Sequence, residues 1–126
     1  MSVSFNTKRP SQVLGEQGEG AVVAYLQERG FTILETNYRV TGGEIDVIAQ
    51  QAELGVFVEV KTRTSHHFNL SQVITPTKIK RISNAAKHYI AYVSTQERAW
   101  RFDVALVEQV NGMLEINYIE NAAYLI

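Results

Sequence analysis

The stretch Gly42–Arg63, GGEIDVIAQQAELGVFVEVKTR, contains two apolar, β-branched runs interrupted by three charged side chains, Asp46, Glu59 and Lys61. Strands favour Val, Ile and Phe, so an acid or a lysine among them destabilises the fold unless it is paired or bound to something. Such placement points to a site. Alternation along Glu44–Gln50 puts Glu44, Asp46 and Ile48 on one face and Ile45, Val47 and Ala49 on the other. Along Val56–Thr62 the same period sets Val56, Val58 and Val60 against Phe57, Glu59 and Lys61. The connection Gln51–Leu54, closed by Gly55, is short, which favours an antiparallel pair able to bring Asp46 beside Glu59.

Upstream of this hairpin, Ser11 can cap a helix from about Gln12 to Arg29, with Gly30 where a left-handed C-terminal cap is wanted. Leu14, Gly18, Ala21 and Tyr25 recur at helical spacing, widened by Val22 and Leu26. Glu19 stands one turn before Val22, in line with that apolar edge, and should point toward the sheet. Phe31–Asn37 alternates as a half-buried strand does.

Downstream, Thr64–Thr75 has no clear period and reads as a loop beside the hairpin. His66 and His67 lie in it side by side, whereas zinc ligands come in spaced sets, so they read as loop residues. Pro76 opens a helix over Thr77–Tyr92 with Ile79, Ile82, Ala86, Tyr89 and Ile90 on its apolar side. Its polar side carries Lys78, Lys80, Arg81, Lys87 and His88, the basic cluster of the chain. Strands Arg101–Glu108 and Met113–Glu120 flank the Asn111-Gly112 turn, and Asp103 should satisfy a local hydrogen bond. Tyr38 and Tyr89 read as core or rim aromatics, and the apolar tail 122–126 either packs on its own domain or on a second copy. The order is α-β-β-β-α-β-β: an α/β fold, one domain over 11–126, preceded by a polar arm over 1–10.

Composition narrows the function. The 126 residues suffice for one genuine core, and no apolar run approaches the ~20 residues that span a bilayer. The first residues lack a secretory signal and the chain has no Cys, which implies a cytoplasmic setting. With a formal net charge of -1, the chain carries no global positive field, so nucleic-acid contact must be local. The residues placed for it are Arg63, Lys78, Lys80 and Arg81.

Hydrolysis of a phosphodiester near neutral pH calls for a divalent cation that neutralises developing charge and makes water nucleophilic, and hence for clustered carboxylates. Asp46, Glu59 and Glu19 can supply them, with the Val60 carbonyl as a further oxygen ligand for Mg²⁺ or Mn²⁺. Lys61, on the face of Glu59, can position the attacking water or stabilise the charged transition state. An E-x-K triplet alone is a weak signal; its strength here comes from the acid in the preceding strand and the glutamate in the preceding helix.

The helix glutamate, then NYR, GGEIDVIA, VFVEVKTR, ITPTK and RFDVALVE together resemble the YraN-like family of small bacterial proteins over about Gly15–Glu108. That family in turn resembles the PD-(D/E)XK nuclease superfamily, which includes restriction endonucleases and Holliday-junction resolvases. The resemblance implies a restriction endonuclease-like α-β-β-β-α-β core, here with an added C-terminal strand, as a mixed central sheet flanked by helices. It implies Asp46 and Glu59 as metal ligands, Lys61 as the catalytic lysine and Glu19 as the acid from the first helix. The implied activity is metal-dependent cleavage of DNA, branched or structured substrates included, by a homodimer where two strands are cut symmetrically. The sequence departs from the superfamily motif at Ile45, which stands where the naming proline would be, and from the family in the loop HHFNLSQ, where Gln72 is an accessory candidate. The alternative is a non-catalytic nucleic-acid-binding or adaptor module that retains the fold.

Overall fold

A computed structural model describes residues 8–64 and 69–125 of the chain. Its elements run α1 (Pro10–Glu28), β1 (Thr32–Val40), β2 (Gly43–Gln51), β3 (Leu54–Arg63), α2 (Leu70–Val73), α3 (Pro76–Tyr92), β4 (Ala99–Val110) and β5 (Met113–Ile119). The short α2 apart, this is the expected α-β-β-β-α-β core with an added C-terminal strand.

The strands form one sheet in the order β1-β2-β3-β4-β5. Tight turns make three of the pairings antiparallel, while β3 and β4 run parallel because the chain returns through α2 and α3. The sheet is therefore mixed. Helix α1 covers one face, packing Val22 and Leu26 on Val47, Val56, Val58 and Ala105. Helix α3 covers the other, packing Ile82, Ala85 and Tyr89 on Ile48, Phe57 and Phe102. Ala122, Ala123 and Leu125 join the α3 side, so this part of the apolar tail packs on its own domain; Ile126 lies outside the described residues.

Several local expectations are corrected. Helix α1 starts at Pro10, within the expected arm, and its N-cap is Arg9, which makes no side-chain capping bond; Ser11 lies inside the helix. A proline with a preset φ and no N–H to leave unsatisfied can open a helix without a polar cap. Residues 1–7 of that arm lie outside the described residues. The C-terminus of α1 follows expectation: Gly30, at φ +87°, and Phe31 donate to the carbonyls of Gln27 and Leu26, both at 3.0 Å. The loop after β3 contains α2, capped by Asn69, whose side chain accepts from the Ser71 N–H. His66 and His67 lie outside the described residues.

The face assignment in β2 also changes. Ile45 packs with Ile48 on the α3 side, while Val47 and Ala49 face α1, so the alternation slips by one residue around Asp46. The β2–β3 ladder supplies the reason: its last pair on this side is Val47↔Val58, and the strands part at Asp46.

Candidate functional site

Where β2 and β3 part, the Val60 N–H loses its place in the ladder and donates instead to Asp46 Oδ2 at 2.8 Å. A side-chain carboxylate thus replaces a main-chain carbonyl, which pins Asp46 at the mouth of the gap. Glu59, one residue before Val60, is 6% exposed, and its Oε1 accepts from Lys78 Nζ of α3 at 2.7 Å. Glu19 reaches the same gap from α1, close enough for its charge and that of Glu59 to be felt together at Asp46.

The electrostatics are those of crowded acids. Burial, followed by the Glu59 charge, pushes the Asp46 carboxyl up to about 8, against the Val60 N–H bond that favours its ionised form. Glu19 is raised as well, chiefly by burial, with the Asn37 side-chain bond and the Arg39 charge working against the shift. For Lys78 burial opposes the charge, but the Glu59 hydrogen bond and charge outweigh it and hold the ammonium more firmly protonated.

Half-buried Asp46 and buried Glu59 place carboxylate oxygens side by side, the donor type a hard divalent cation takes, and the Lys78 ammonium sits on Glu59. Among the described residues no three His, Cys, Asp or Glu side chains are gathered tightly enough to enclose a metal ion. Two of the oxygens concerned are turned to Val60 and Lys78 instead.

The expected residues separate into two groups. Asp46, Glu59 and Glu19 come together, and Val60 joins them through its N–H. Lys61 is half-buried two residues beyond Glu59, and its side chain forms no hydrogen bond or ion pair with any described residue. It lines an open groove of about 780 Å³ together with Lys8, Leu14, Gln17 and Arg63, running from the end of β3 along the start of α1. Lys80 and Arg81 are exposed on α3, whereas Lys78 turns inward to Glu59. Gln72 is exposed on α2.

Two contributors escaped the sequence reading. Asn37 adopts φ +52° inside β1 and reaches Glu19; its only signal was that Asn is among the few residues that tolerate a left-handed backbone. Gly18 lets α1 lie directly on Thr62 of β3 and so delivers Glu19; its signal was a small residue on an apolar helical stripe.

Residues 18–107 match the family described as Uncharacterised protein family UPF0102. A UPF0102 protein of Geotalea daltonii is 42% identical over 117 residues, which is 91% of this chain and 92% of that protein. One from Geobacter metallireducens is 42% identical over 110 residues, covering 86% and 90% respectively. One from Alkaliphilus metalliredigens is 41% identical over 113 residues, covering 89% and 98%. The matched segment runs from Gly18 through the site to Val107 of β4, and the chain belongs to the UPF0102, or YraN-like, family.

Proposed function

We propose that the protein is a metal-dependent endonuclease that hydrolyses DNA phosphodiester bonds, with branched or structured DNA among its substrates. The observation that carries this reading is the pairing of half-buried Asp46 with buried Glu59 at the end of the β2–β3 ladder, with the Lys78 ammonium on Glu59. Crowded, buried carboxylates cost stability and are kept where a cation or a reaction needs them. The resemblance to PD-(D/E)XK nucleases assigns the same residues to metal binding.

Asp46 and Glu59 would hold Mg²⁺ or Mn²⁺, with the Val60 carbonyl and Glu19 beside them. A bound cation supplies charge neutralisation at the phosphate and a water acidic enough to attack near neutral pH. Lys61, unpaired among the described residues, is free to meet the substrate phosphate or orient the attacking water. Arg63, at the end of β3, and Lys80 and Arg81, exposed on α3, offer phosphate contacts. A symmetric double cut would take two copies of the chain. The cysteine-free sequence accords with the cytoplasm, and no described helix is long and apolar enough to cross a membrane.

One observation favours the adaptor reading: Glu59 is already neutralised by Lys78. The two readings part in one experiment, incubation with Mg²⁺ or Mn²⁺ and a panel of linear, nicked, flap and four-way DNAs. The nuclease reading predicts cleavage that needs the metal and is lost in Lys61→Ala. The absence of any cleavage depending on both would overturn it in favour of the adaptor.

A further inference from the structure

The ion pair between Lys78 and Glu59 ties the first turn of α3 to the acid of β3. One end of it is anchored. Thr75 caps α3, its Oγ1 accepting from the Lys78 N–H at 3.2 Å, and Pro76 sets the backbone of the same turn. The other end is a flexible four-carbon stem whose side chain is 45% exposed, against 7% for that of Glu59. The ammonium therefore stands between a buried carboxylate and solvent. Its Nζ lies 2.7 Å from Glu59 Oε1, so a cation taking that oxygen as a ligand competes with it. Two positive charges cannot share one oxygen at such range without strong repulsion in a partly buried site.

We propose that Lys78 is a positioning residue that occupies the cation's place on Glu59 in the metal-free protein, and that a divalent cation releases it toward solvent to contact a phosphate of the DNA. The inference rests on reading Asp46 and Glu59 as cation ligands. It makes metal loading and DNA binding two halves of one exchange. Each should then strengthen the other, because coupling between two sites is reciprocal. A purely structural ion pair would show no such link.

Calorimetric titration with Mn²⁺ tests the exchange without relying on cleavage. Lys78→Met, with its competing ammonium gone, should bind Mn²⁺ more tightly by about tenfold, the usual order of a two-site coupling. Lys80→Met on the same helix should stay within roughly twofold of wild type, as expected of an exposed, screened charge. In fluorescence anisotropy, Mn²⁺ should raise the DNA affinity of wild type more than that of Lys78→Met. Should that variant not fold, the Lys78 ammonium signal of the wild type, followed by ¹⁵N NMR, should move on adding Mg²⁺ while that of Lys80 does not. Mn²⁺ binding by wild type with no gain in Lys78→Met, or an unmoved Lys78 signal on metal binding, overturns the exchange alone. No Mn²⁺ binding by either protein overturns the cation reading of Asp46 and Glu59, and this proposal with it.

Discussion

Gly18 of α1 lies so close to Thr62 of β3 that a Cβ placed on it would fall 1.8 Å from the Thr62 hydroxyl oxygen. The contact leaves that oxygen buried without a hydrogen-bond partner, a cost accepted in exchange for close approach of helix and strand. Its benefit is positional, since Glu19 follows Gly18 and is thereby delivered to Asp46 and Glu59.

Gly18→Ala should therefore destabilise the protein by about 1–3 kcal/mol, the range for forcing a methyl into a filled space. Gly20, on the same helix, has no neighbour within 4 Å of a Cβ. Gly20→Ala should stabilise by roughly 0.5–1 kcal/mol through helix propensity. Urea denaturation of the two variants checks the opposite signs; a matching sign would mean that α1 does not press on Thr62.

Asp103, fully buried, accepts two bonds from Arg101 at 2.8 Å, one from the Tyr118 hydroxyl at 2.6 Å and one from the Asn121 N–H at 2.9 Å. This network ties the start of β4 to the end of β5 and the turn after it, on the side covered by α1, where Tyr25 stacks on Tyr118. Asp103→Ala leaves the Arg101 guanidinium without its buried partner and should cost about 3–5 kcal/mol. Tyr118→Phe removes one bond to a charged group and should cost about 1.5–3 kcal/mol. Denaturant midpoints read both, and Asp103→Ala should be the worse.

The Asp46 carboxyl gives the metal-free protein a pH signature. Its folded-state value of about 8 lies above that of an unfolded Asp, so the native state binds the proton more tightly. That contribution is present in full below the unfolded value of ~3.9 and is lost as pH rises through the folded one. In EDTA the melting temperature should therefore fall between about pH 4 and 8. Asp46→Asn, which cannot ionise, should flatten this slope and melt higher than wild type at pH 8. An unchanged slope in the variant would contradict the origin assigned to it.

Much of this was legible beforehand, for reasons that differ by residue. The strand-rich middle declared itself through β-branched runs and short turns, and the Asn111-Gly112 turn marked the last hairpin. Asp46 and Glu59 stood out because charge in an apolar strand needs a partner. Period-two reasoning failed at Ile45, because the slip arises where β2 and β3 part, a tertiary event that no local pattern records. Lys78 was visible as one of several basic residues, yet its pairing with Glu59 depends on how α3 docks across the sheet. Pro10 took over the start of α1 from Ser11, because a preset φ can open a helix where no polar cap exists. Asp103 was expected to satisfy a local bond; its partners at Tyr118 and Asn121 come from the returning β5 strand and the turn beyond it.

The most direct measurement is a crystal of the protein soaked in Mn²⁺ and examined at the manganese absorption edge. The account predicts an anomalous peak at about 2.1 Å from carboxylate oxygens of both Asp46 and Glu59, as for a hard divalent ion, with Lys78 Nζ withdrawn from Glu59. A peak elsewhere, or no peak while the Lys78–Glu59 pair persists, would contradict it.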